Sequence, residues 1–204
     1  MPTKSEELAQ KTPYDVYIAE RPFSFELDRE MLGMLRSEFD VPALVDKFAK
    51  EIEGKAPDKV DAIAKTVFGE YGEALMRKAL QLGEEYPDRT YEVLKEAVDQ
   101  TGEMKFPLIV QRFIEISYLS TQQFRILPIV ENWSKRLVYR VKDCYIYKSI
   151  AEKCGEEVAA AMPCRYACLA NCKTALAGLD LDGTIEMEAV MAKDGSCQFA
   201  LNKV

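Results

Sequence analysis

The chain has 204 residues, 48% of them apolar and 30% charged, with a net charge of −7, six cysteines and no histidine. That composition is ordinary for a globular protein of one domain, or of a helical lobe plus a core. The acidic balance argues against a nucleic-acid surface, which needs clustered Lys and Arg. The missing histidine removes the commonest general base and the commonest metal ligand, so polar chemistry falls to thiol, carboxylate, Tyr, Lys or Arg.

The opening MPTKSEELAQKTPYD has no apolar h-region, so no secretory signal is expected. The longest mainly apolar stretch, 106–119, is cut by Gln111, Arg112 and Glu115, so no membrane span is expected either. The expectation is a cytoplasmic protein whose thiols stay reduced.

Residues 1–24 read as extended and irregular, broken by Pro13 and Pro22. Helices are expected over 27–39 and over 41–53, the second ending at Gly54. Asp58 is the expected N-cap of a long helix to about residue 82, whose apolar set Ile63, Val67, Phe68, Tyr71, Leu75 and Ala79 recurs at helical spacing. Gly69 and Gly72 weaken its middle and leave room for a close neighbour. Gly83 and Pro87 are expected to close it. Asp88 then caps a helix over 89–101 that stops at Gly102. The stretch 107–122 reads as a buried helix started by Pro107.

The character changes near residue 124. Residues 124–130, with Pro128 inside, suit an edge strand, and 137–141 alternate as a half-buried strand. Asp143 can cap a helix over 144–154 that ends at Gly155. Another begins near Glu156, breaks at Pro163 and resumes over 164–176 to Gly178. Ile185, Met187, Ala189 and Met191 alternate, a tight Lys193-Asp194-Gly195-Ser196 turn follows, and Cys197, Phe199 and Leu201 alternate again. The expected fold class is α+β: a mainly helical region over 1–122, then an antiparallel sheet with helices packed on it over 123–204, together one compact unit.

Cys164, Cys168 and Cys172 are spaced by four, which puts them on one helix face. Cys164 and Cys172 would stand about 12 Å apart along the axis, too far to share one ion whose thiolate bonds are about 2.3 Å. A mononuclear site therefore needs an adjacent pair plus outside ligands, and Cys197 is the candidate. The expected metal ligands are Cys164, Cys168, Cys172 and Cys197, holding zinc or an iron–sulfur cluster. Pro163 at the first helical position would put Cys164 in the first turn, where the dipole and the neighbouring Arg165 favour a thiolate; this makes Cys164 the candidate catalytic nucleophile. The same sulfurs also suit a core, since free cysteine packs as a small hydrophobe, and Cys144 and Cys154 are read that way.

The order LVYRVKDCYIY, IAEKCGEE, MPCRYAC and the hairpin AKDGSCQF resembles the L-2-amino-thiazoline-4-carboxylic acid hydrolase-like family. It also resembles the wider group containing the 4-vinyl reductase domain, whose tails end in a Gly-Asp-x-x-Cys-x-Phe hairpin. The resemblance covers about the last third of the chain. Cys144, Cys164, Asp194, Cys197 and Phe199 are the corresponding positions, and Lys193 stands where the pattern has its first glycine. It implies helices on an antiparallel sheet with a pocket between them for a small aromatic or hydrophobic molecule. It also implies, in some members, a structural zinc held by cysteines and a carboxylate. That pattern has a further cysteine shortly before the last; residues 183–196 contain none, and Cys168 and Cys172 are extra to it and could substitute.

Trp133, the single tryptophan, can line a pocket mouth, and Tyr139, Tyr145, Tyr147 and Tyr166 crowd the cysteine helices. Trp133 and Tyr166 are the candidate ligand contacts; core packing explains the tyrosines equally well. No phosphate loop, nucleophile elbow or HExxH motif is present. Three readings stand. The chain is a small-molecule-binding protein with a cysteine-ligated metal centre. Or it is a hydrolase of the 2-amino-thiazoline-4-carboxylate type using Cys164 or a metal-bound water. Or it is an accessory protein of a redox enzyme. Its partner would be a small-molecule ligand, with a homodimer or a redox-enzyme partner left open.

Overall fold

The structure, a computed structural model, describes residues 27–122 and 127–204. The fold is α+β: a helical N-terminal half, then four antiparallel strands with helices. The expectations for 1–24 and for the start of the 124–130 strand lie outside the described residues.

Helix α1 (Arg29–Glu38) is capped by Asp28, whose carboxylate accepts from the amides of Glu30 and Met31. Helix α2 (Val41–Ile52) buries Val41, Leu44, Val45 and Phe48. The long α3 (Pro57–Glu85) starts one step before the expected cap: Ala56 is the N-cap, Pro57 fills the first position, and Asp58 lies in the first turn, where a carboxylate suits the dipole. The helix runs through Gly83 to Glu85 instead of closing there. A Cβ on Gly83 would stand 2.5 Å from the Phe113 ring, so this glycine serves a packing contact and not a helix end. Helix α4 (Arg89–Thr101) matches its expected bounds, with Asp88 accepting from the Tyr91 amide and Gly102 left-handed at the C-cap.

Pro107 does not start the next helix. Lys105–Ile109 form a π turn in which Phe106 is extended, the conformation favoured before proline, and α5 (Val110–Thr121) follows. Almost all of α5 is buried, including Arg112, Ser117, Ser120 and Thr121.

The sheet contains β1 (Ile129–Trp133), β2 (Arg136–Lys142), β3 (Gly183–Ala189) and β4 (Ser196–Lys203) in the order β1-β2-β4-β3, with every pairing antiparallel. The strand carrying Pro128 at its entry is thus an edge strand. β2 is central and more deeply buried than the expected half-buried strand, with Leu137, Val138, Tyr139 and Val141 all inside. Between β2 and β3 run α6 (Tyr145–Cys154), α7 (Glu156–Ala160) and α8 (Arg165–Gly178). Asp143 is not the cap of α6; Cys144 takes that position, and the Gln122 side chain accepts from the Tyr145 amide at 3.0 Å. The β3–β4 connection is longer than a two-residue turn. A one-turn helix α9 (Met191–Asp194) fills it, Gly195 ends it with φ 67°, and Asp194 accepts from the Val190 amide.

Helix α8 lies along α3, and that packing joins the two halves of the chain. It depends on Gly72, where a Cβ would stand 2.1 Å from the Ala167 carbonyl oxygen. No helix among the described residues is long and apolar enough to cross a membrane.

Candidate functional site

Helix α8 carries the cysteine row. Cys172 is fully buried, Cys168 is half-buried, and Cys164 sits at the N-cap rather than in the first turn, with 5% of its surface exposed. From this row a polar chain runs under the sheet. The Tyr118 hydroxyl of α5 hydrogen-bonds Cys168. It also lies 3.0 Å from the Tyr139 hydroxyl of β2, which lies 3.0 Å from the Cys172 sulfur. The two rings meet edge to face at 5.5 Å, and Tyr139 stacks on Phe199 at 5.4 Å. Burial pushes both phenols well above their usual range, and the neighbouring thiols add to it.

Beside this chain is a small cavity of about 20 Å³, partly open to solvent, between α3, α5 and α8. Leu75, Ile146 and Ala167 line it with Tyr71, Tyr118, Thr121 and Cys168, and the surface they expose to it is almost wholly apolar. Tyr71 is tied by hydrogen bonds to Thr121 and to the Phe39 carbonyl at 3.3 Å. Asn171, 3% exposed, accepts from Ser117 at 3.1 Å and donates to the Gly72 carbonyl at 3.4 Å. These polar groups sit on three helices and are bonded across to neighbouring elements, which preorganises the wall. Sequence reasoning missed Tyr118, Ser117, Thr121 and Asn171. The available signals were hydroxyls inside a helix too apolar to be exposed, and an Asn three residues after Cys168 on the cysteine face.

The structure rearranges the expected ligand set. Cys144 of the α6 cap and Cys197 of β4 are near enough to act electrostatically on Cys164, and Cys168 feels all three. Cys172 points instead to Tyr139. Cys144, read from sequence as core only, therefore belongs with the others. The expected lowering of the Cys164 thiol is reversed. Burial comes first and raises it well above its usual range, Cys144 and Cys197 push it further, and Arg165 offsets little. The reason is geometric: the Arg165 guanidinium bonds Asp61 at 2.7 Å and the Ala161 carbonyl at 2.5 Å. Desolvation at Cys164 outweighs the helix terminus. Burial pushes Cys172 and Cys197 up to about 12. Among the described residues no three Cys, Asp or Glu side chains are placed to hold a metal ion, so the zinc that the resemblance implies does not fit the donors as they stand.

The remaining candidates lie elsewhere. The Tyr166 hydroxyl donates to Asp61 at 2.9 Å and its ring carries the Arg165 guanidinium at 4.5 Å, an arrangement that ties α8 to α3 and does not reach the cavity. Trp133 ends β1, is 52% exposed and lines a separate open cleft.

No family model matches the chain, and no curated protein matches it. Similar solved structures include an Fe(II) unliganded H-NOX protein from K. algicida and a single-residue mutant of it. Each is 12% identical, covers 86% of this chain and 93% of the other, and has a TM-score of 0.38. A likeness of that degree carries no argument about this chain.

Proposed function

We propose that this protein binds a small, largely apolar molecule in the cavity between α3, α5 and α8. The observation that carries this reading is the cavity wall, whose exposed surface is almost wholly apolar and whose lining side chains come from three helices. The crevice has about 20 Å³ of room, enough for about one water, so a ligand of one ring enters only as the side chains of α3, α5 and α8 part to admit it. The resemblance to ligand-binding vinyl-reductase-type domains points to the same class. Cys168 supplies the test, because it lines the cavity and its thiol is buried there, so a reagent reaches it only as the cavity opens. Toluene and p-cresol should slow its reaction with methyl methanethiosulfonate and raise the melting temperature. Cys168→Leu, which fills the space, should abolish the thermal shift. If neither probe protects Cys168 or shifts melting, the reading fails.

A second reading, a cysteine-ligated zinc or iron–sulfur centre, is favoured by the mutual influence of Cys144, Cys164, Cys168 and Cys197. It requires these thiols to draw together as they deprotonate. Stoichiometric zinc, or a brown chromophore, in protein purified without oxygen would support it; trace metal with freely titrating thiols would end it. Hydrolysis of an amino-thiazoline ring through Cys164 would need the thiolate that burial opposes.

A further inference from the structure

The Trp133 cleft is separate from the cavity just described. It lies where the π turn, the β1–β2 turn and the end of β4 meet, and has a volume of about 800 Å³, open to solvent. Its apolar side is Met104, Phe106, Pro107, Leu108 and the indole of Trp133. Met104 and Trp133 are among the few large apolar side chains left exposed, at 46% and 52%. Its polar side carries Lys105, Lys135 and Lys203 against the carboxylate of Glu103, with the terminal residue Val204 beside Lys203. None of the three lysines has an ion-pair partner among the described residues. The nearby Arg136 is different: Glu131 and Glu188 hold its guanidinium at 3.0 and 2.6 Å, so its charge is already met.

In a chain of net charge −7, three lysines that share a cleft with one indole and have no ion-pair partner among the described residues concentrate positive charge. The frame that holds them is ordered. The Lys203 amide donates to the Lys135 carbonyl at 2.9 Å, which sets these two residues side by side. Trp133 donates to Glu131 at 3.3 Å, and Asn132 bonds Gln111 of α5, which fixes the turn against the helix.

We infer that this cleft binds a planar aromatic anion, with the ring on Trp133 and the charge met by Lys105, Lys135 and Lys203. Each half of that ligand has its complement here: apolar wall and indole for the ring, and lysine ammonium groups for the charge.

The test uses the fact that Trp133 is the only tryptophan, so the protein's indole emission reports this cleft alone. The probe is 2-naphthoate, with neutral 2-naphthalenemethanol and inorganic phosphate as controls, added to the full chain. The expected result is saturable quenching by 2-naphthoate that weakens with salt. The neutral analogue should bind about tenfold or more weakly, and phosphate alone should leave the emission unchanged. Lys105→Gln, Lys135→Gln and Lys203→Gln together should weaken 2-naphthoate about tenfold or more without changing the far-ultraviolet circular dichroism. Equal quenching by the neutral analogue, or quenching indifferent to the triple substitution, would overturn the assignment. Cys168→Leu should leave this titration as it is, which separates it from the cavity reading.

Discussion

Gly72 decides how closely α3 and α8 approach. A methyl group there would stand 2.1 Å from the Ala167 carbonyl oxygen, a backbone atom that cannot swing away. Gly69, one turn earlier on α3, would meet nothing within 4 Å. The two glycines look alike in sequence and should respond oppositely to alanine. Gly72→Ala should destabilise by about 3 kcal/mol or more, since the helices must separate and the Asn171 bond to the Gly72 carbonyl is lost with them. Gly69→Ala should stabilise by up to about 1 kcal/mol, through helix propensity alone. Urea unfolding of both variants checks the pair. Equal effects would mean that the α3–α8 contact is not set by Gly72. The tyrosines make the same point about local signals. Tyr139 and Tyr166 both sit near cysteines in sequence, yet only Tyr139 reaches a sulfur, because strand β2 aims it under the sheet while α8 turns Tyr166 out to Asp61.

At the scale of elements, the turn from α3 into α4 rests on one carboxylate serving two purposes. Asp88 caps α4 through the Tyr91 amide and pairs with Arg112, whose side chain is wholly buried in α5. That guanidinium also bonds the Tyr86 carbonyl at 3.3 Å and lies over the Tyr91 ring at 4.4 Å. Asp88→Asn keeps a competent cap and removes the charge, so its cost measures the pair. The expected loss is about 3 kcal/mol, seen as a lower urea midpoint, whereas Asp88→Ala should cost about 1 kcal/mol more because the cap goes too. Elements whose signals are local were readable from sequence: the caps at Asp88 and Gly102, the end at Gly155, and the presence of strands β2 and β4, though both bury more than one face. Readings failed where a distant partner decides. Gly83 looks like a terminator, but the Phe113 ring explains it; Asp143 looks like a cap, but Gln122 takes that hydrogen bond. The cysteine face was readable for the same reason as the helices, by its spacing of four. That Cys144 joins Cys164 and that Cys172 turns to Tyr139 depends on β2 and α6, and no spacing in the sequence carries it.

For the whole molecule, the buried thiols predict how stability depends on pH, and with what sign. Cys172 and Cys197 are pushed from 9.0 up to about 12, by burial first, and Cys144, Cys164 and Cys168 are raised too. Below pH 9 folded and unfolded chains both keep these protons, so the thiols contribute nothing to the pH dependence. Above it the unfolded chain releases them while the folded chain does not, so unfolding is favoured as pH rises. Cys172 and Cys197 should each remove up to about 1.4 kcal/mol per pH unit between about 9 and 12. Against a total stability of about 5–15 kcal/mol, the protein should unfold well before pH 12. Urea midpoints in oxygen-free buffer should be level from pH 7 to 8 and fall steeply from 9, and Cys172→Ala should flatten that fall. A cysteine-held metal would reverse the sign. Ligating thiolates have depressed pKa values, so the stability they contribute is present at neutral pH and is lost on acidification, as protons displace the metal. A protein that resists pH 10 but loses stability between pH 7 and 5, with release of zinc or iron, would replace the neutral thiol core described here with a metal centre.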